Sequence, residues 1–106
     1  MKKKLVMFVA SMVLIVSLAG AAFAHTPLFS CWDNGDETLS CEGGYSDGSS
    51  AAGTTIKVQD PKGKVIFTGK LDKNGELTFK KPKGEFTVTF DGGPGHSVTI
   101  KSSNIK

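Results

Sequence analysis

Turn chemistry recurs at short intervals along most of this chain, and that punctuation limits its fold more than any other feature. Asn34-Gly35, Asp60-Pro61-Lys62-Gly63, Asp72-Lys73-Asn74-Gly75 and Lys81-Pro82-Lys83-Gly84 all carry residues suited to tight turns. Proline fixes φ, glycine accepts positive φ, and Asn or Asp side chains bond to the backbone just ahead of them. Between the turns the apolar residues alternate, as they do in half-buried strands. Ile56 and Val58 share one face of 54–59, and a second strand covers 64–71. Leu77 and Phe79 mark 76–80, Phe86, Val88 and Phe90 share a face of 85–91, and Val98 and Ile100 point inward from 96–101. A hairpin of 27–32 and 38–45 brings the total to about seven strands, with no helix. The stretch 42–53, glycine- and serine-rich and overlapping the end of that hairpin, reads as a long loop.

Short strands at this spacing predict an all-β fold, a seven-stranded antiparallel sandwich in one domain. The expected core is Leu28, Leu39, Ile56, Val58, Val65, Phe67, Leu77, Phe79, Phe86, Val88, Phe90, Val98 and Ile100. Lysines at 62, 64, 70, 73, 80, 81 and 83 gather around the turns, where they suit a solvated surface and blunt sheet edges.

Residues 1–24 predict a different fate. Met1-Lys2-Lys3-Lys4 gives a positive start, residues 5–18 an apolar stretch, and Ala22-Phe23-Ala24 the small-x-small form cut by a signal peptidase. The apolar stretch is short for a spanning helix, so the expected product is an exported protein, periplasmic or secreted, that does not span a membrane. It begins at His25 and has 82 residues, 25–106. Three of the 13 lysines leave with the leader, so ten lysines then face ten carboxylates. The excess positive charge belongs to the targeting segment and gives no reason to expect a nucleic-acid partner.

The two cysteines suit an exported chain. If the hairpin is centred on Asp36, residues whose numbers sum to 72 lie opposite one another, and Cys31 faces Cys41. A disulfide there closes a loop of about 10 residues, contributing about 2 to 3 kcal/mol on the chain-entropy view. The alternative is a reactive or metal-binding thiol pair, although the spacing matches neither Cys-x-x-Cys nor the usual zinc patterns. Trp32, beside Cys31, packs against the bridge or the sheet in one reading and offers an exposed aromatic to a partner in the other.

Enzymatic signatures are missing from the sequence: it has no Gly-x-Ser-x-Gly, no His-Glu-x-x-His and no phosphate-binding loop. No enzymatic activity is expected. Asp33, Asp36, Glu37 and Glu42 have the oxygen donors for Ca(II), but a solvated hairpin rim explains them as well.

The segments 57–64, Lys-Val-Gln-Asp-Pro-Lys-Gly-Lys, 71–79, Leu-Asp-Lys-Asn-Gly-Glu-Leu-Thr-Phe, and 83–88, Lys-Gly-Glu-Phe-Thr-Val, resemble the carboxypeptidase regulatory-like or transthyretin-like domain. That resemblance implies a prealbumin-type sandwich and leaves function open. Tyr45-Ser46-Asp47-Gly48, the turn from Phe90 to His96 and a histidine just after the leader further resemble small exported proteins associated with nickel and cobalt uptake systems. The cysteine pair and the lengthened loop after Asp47 depart from that pattern. The resemblance implies a metal-binding accessory protein that serves a membrane metal-transport complex.

Donor chemistry supports the same expectation independently. A first-residue histidine offers its α-amine and its Nδ1 to one ion, and the amine exists only after the leader is removed. Both groups release their protons to a metal near neutral pH. His96 is the only other histidine and completes a nitrogen set suited to Ni(II), Co(II), Cu(II) or Zn(II), with Asp91 or Asp47 as an oxygen donor. Copper rivals nickel, because N-terminal histidines hold copper in periplasmic carriers. The competing expectation is a metal-free sandwich module that docks to a membrane or surface complex, with His25 a frayed end and His96 a turn residue.

Overall fold

The computed structural model describes residues 25–106. The leader expected at 1–24 lies outside these residues.

Among the described residues seven strands run β1 (Pro27–Asp33), β2 (Thr38–Tyr45), β3 (Thr55–Gln59), β4 (Val65–Lys70), β5 (Glu76–Lys80), β6 (Thr87–Asp91) and β7 (Ser97–Lys101). They form two antiparallel sheets, β1-β2-β5 and β4-β3-β6-β7. Alternation explains their facing: Leu39 and Cys41 on β2, Ile56 and Val58 on β3, and Val88 and Phe90 on β6 are all buried, with polar neighbours turned outward. Packing these inner faces against each other gives the sandwich its core.

The expected hairpin register is the observed one, with Cys31 opposite Cys41 and Trp32 opposite Ser40. Its turn is set by local bonds. Gly35 N–H donates to Asp33 Oδ1 at 2.8 Å, Asn34 N–H to Thr38 O at 3.0 Å, and Gly35 and Glu37 both take positive φ. Cys31 and Cys41 are joined in a disulfide, and no described cysteine is free. Neighbouring side chains alternate across a strand, so Trp32 faces away from the bridge, on the outer surface, and is 39% exposed.

Three expectations about the core need correction. Leu28, Val65 and Phe67 are exposed: Leu28 shares the outward face of β1 with Trp32, the register shift between Val58 and Gln59 sets Val65 opposite the outward-facing Gln59, and Phe67 lies on the edge strand β4 with too few neighbours to cover it. Leu77, Val98 and Ile100 are half-buried, for a similar reason, on the edge strands β5 and β7. In their place Cys41, Ala51 and Leu71 join the core. Ala51 is drawn in because the loop after β2 folds back: Leu71 N–H donates to Thr54 O and Gly53 N–H to Leu71 O. That loop is also shorter than expected, since β2 continues as strand to Tyr45. After β7 comes an unexpected 3-10 turn, Ser102–Asn104, tied to the core by Ser102 N–H donating to Phe86 O. No described helix is long and apolar enough to cross a membrane.

Candidate functional site

The start of β1, the end of β2 and the turn between β6 and β7 meet at one end of the sandwich, above Phe90. Register places them there. Pro27 stands opposite Tyr45, and Thr26 is clamped to the residue after β2, its N–H donating to Ser46 Oγ at 3.2 Å and its carbonyl accepting Ser46 N–H at 2.9 Å. His25 is thereby carried to the Ser46-Asp47-Gly48 turn. On the facing sheet, Phe90 pairs with Val98 and Gly92 N–H donates to His96 O at 3.0 Å, so His96 follows the inward parity of Val98 and Ile100.

Tyr45 is the common neighbour. Its ring makes edge-on contacts with His25 (centroids 6.4 Å apart), His96 (6.1 Å) and Phe90 (6.0 Å). Gly92 makes this approach feasible, because a Cβ at that position would lie 3.0 Å from the Tyr45 hydroxyl and 2.6 Å from His96 O. The sequence marked Tyr45 only as part of the Tyr45-Ser46-Asp47-Gly48 motif and gave it no role. Its available clue was parity: His25, Tyr45 and His96 all continue the inward-facing series of their strands.

Asp47 divides its carboxylate between two tasks. Oδ1 accepts hydrogen bonds from Ser49 Oγ (2.6 Å) and Ser49 N (3.0 Å), while Oδ2 lies 3.0 Å from His25 Nδ1. The Ser49 side chain, then its backbone, and to a lesser degree the charge of His25 hold the Asp47 carboxyl below the usual aspartate range. His96 Nδ1 donates to Pro94 O at 3.2 Å, which leaves its Nε2 as the free acceptor. The two histidines and Asp47 therefore share one end of the molecule.

Asp91 stands apart. Its side chain follows the outward parity of β6 and forms an ion pair with Lys57 at 3.1 Å, which lowers its pKa. Of the calcium candidates, Asp33 is paired with Lys81 at 2.7 Å and Asp36 accepts the Thr38 N–H of its own turn. Among the described residues, no three His, Cys, Asp or Glu side chains stand close enough to hold a metal ion by themselves. A ligand set at His25 and Asp47 therefore needs a donor of another kind.

The carboxyls of Asp33, Asp36, Asp47 and Asp91 are all held below the ordinary aspartate range, chiefly through hydrogen bonds from Lys81, Thr38, Ser49 and Lys57 respectively. A depressed folded pKa adds stability that is fully present above the unfolded value and is lost as pH falls through the folded one. Urea midpoints are therefore predicted to hold steady down to about pH 5 and to decline on further acidification. Midpoints that stay level or rise below that point would contradict these assignments.

Comparison of the chain with known protein families, curated proteins and solved structures finds no match.

Proposed function

We propose that the processed protein is an exported metal-binding accessory protein, periplasmic or secreted, which holds a divalent transition metal at His25 and presents it to a membrane transport complex. The observation that carries this reading is the placement of His25 beside Asp47, with both His25 and His96 against Tyr45. Cleavage after Ala24 would add the missing donor, because it frees the α-amine one bond from the His25 Cα. Amine, imidazole and the Asp47 carboxylate then form a mixed nitrogen and oxygen set, with His96 on the other contact of Tyr45. Nitrogen-rich sets of this kind favour Ni(II), Co(II) or Cu(II). In the same reading the sandwich belongs to the transthyretin-like, carboxypeptidase regulatory-like group, acts as a rigid scaffold and catalyses nothing.

The test is calorimetric titration of Ni(II), Co(II), Cu(II) and Zn(II) into protein beginning at His25, beside a form with one alanine added before it and a His96→Ala variant. The prediction is binding by at least one metal, weakened about tenfold or more by either change, which corresponds to about 1.4 kcal/mol. Absent binding, or binding indifferent to both changes, would overturn the reading.

A second reading, a metal-free module that docks to a membrane or surface complex, draws on the exposure of Val65, Ile66 and Phe67 on β4. Failure of all four metals to bind would favour it.

A further inference from the structure

We propose that the flank formed by β4 and β5 is a docking groove for an acidic, extended segment of a partner protein. Its apolar side chains would seat on Ile66 and Phe67, and its carboxylates would meet Lys64, Lys70, Lys80 and Lys83. This inference rests on the opposite flank from β1 and β7 and does not depend on metal binding.

Three observations converge on this flank. The first is apolar exposure: Val65 (46%), Ile66 (45%) and Phe67 (37%) are consecutive and make up most of the large exposed apolar side chains on the described surface. Ile66 and Phe67 border a groove between the two sheets, which Phe67 and Phe79 line as a stacked pair with centroids 5.1 Å apart. The second is an open edge. β4 pairs only with β3, and β5 only with β2, so both present a free side to solvent. A register shift between Val58 and Gln59 also leaves Ile66 without a partner on β3.

The third is charge. Residues 62–83 hold seven lysines against two carboxylates, Asp72 and Glu76, although residues 25–106 taken together have equal numbers of each. Asp72 Oδ1 is occupied with its own turn, accepting Asn74 N–H at 2.8 Å and Glu76 N–H at 3.0 Å. The ion pairs of the described residues take Lys81 and Lys57, so Lys64, Lys70, Lys80 and Lys83 have no ion-pair partner, and Lys80 and Lys83 line the groove itself.

Together these features favour one class of occupant. An extended segment added beside an edge strand satisfies backbone groups along its length, and alternate side chains fall on either side of it. Lysines on a sheet edge repel a second copy of that edge and attract one of opposite charge. A lipid surface fits less well, because the apolar residues lie on an edge exposed on both faces and beside a groove, where one plane does not cover them.

The experiment is a fluorescence-anisotropy titration of the oxidised protein with a labelled peptide that alternates glutamate with valine. A peptide with lysine in place of glutamate serves as the control. Saturable binding of the acidic peptide alone is expected, weakening about tenfold or more in Ile66→Ser and in Lys80→Glu/Lys83→Glu, and falling as salt is raised. Both variants change exposed side chains outside the core, and their folding is checked by the unchanged urea midpoint. No binding of the acidic peptide, equal binding of both peptides, or binding untouched by either variant overturns the proposal. Co-sedimentation with phosphatidylglycerol vesicles and sedimentation of the protein alone complete the test. Capture by vesicles, or self-association, with both lost in the variants and no peptide binding, would assign the flank to a membrane or to a second copy and would also overturn it.

Discussion

Phe90→Ala is expected to lower the unfolding free energy by about 3 to 5 kcal/mol, the largest effect of any single substitution considered for this protein. Phe90 is fully buried and touches both sheets: its ring lies 5.4 Å from Phe29 on β1 and 6.0 Å from Tyr45 on β2. The opposing strand has shaped itself to the ring, because a Cβ on Gly43 would come within 2.9 Å of Phe90 Cε2. Truncation therefore removes apolar burial and leaves a cavity that β2, fixed by its pairing on both sides, collapses into only in part. A domain of this size has only about 4 to 12 kcal/mol of total stability, so the variant sits close to unfolding at room temperature. The check is a pair of urea or guanidinium curves for wild type and variant. A loss under about 1 kcal/mol would show that the two sheets do not depend on this ring. Phe90 also supports Tyr45, so under the proposed metal-binding function any Phe90 variant that stays folded is expected to lose metal affinity.

Reduction of the Cys31–Cys41 bridge is expected to cost about 2 to 3 kcal/mol and to lower Tm by about 10 °C or more. The bridge closes a loop with a sequence separation of 10, and its Cα atoms are 4.0 Å apart directly across the hairpin. It joins the edge strand β1 to β2, and β1 is paired with no other strand. Losing it should free β1 first, and His25 with it. Cys41 is fully buried, so Cys31→Ala/Cys41→Ala adds a small packing loss to the entropic one and should be somewhat less stable than the reduced wild type. Thermal unfolding with and without a thiol reductant measures the first effect. Identical melting temperatures would mean that the turn and core alone fix the hairpin.

The alternation of Ile56 with Val58 and of Val88 with Phe90 was sufficient to identify strands and their inward faces, because each sits on a central strand with neighbours on both sides. The same alternation on β4 misled. Val65 and Phe67 follow the pattern of a buried face, yet a register shift turns Val65 to the side of Gln59, Phe67 is exposed through strand order, and no local signal says that β4 is an edge. Leu28 on β1 failed for another reason, since Phe29 and Cys31 take the inward face and leave Leu28 outward, while Leu71 and Ala51 lie outside strands and are buried by a loop that folds back over long-range hydrogen bonds.

What the sequence by itself determined is local: the turns, the strands between them, the hairpin register that sets Cys31 opposite Cys41, and the donor types at His25, His96, Asp47 and Asp91. These follow from φ preferences and period-two alternation, which act over a few residues. Only the tertiary structure decided which donors meet. It brought His25 to Asp47 through the Thr26–Ser46 clamp, set His96 against the same tyrosine from the other sheet, and turned Asp91 outward to Lys57. Those outcomes depend on how two sheets stack and in what order their strands pair, and contacts between residues so far apart in the chain are fixed only when the whole core closes.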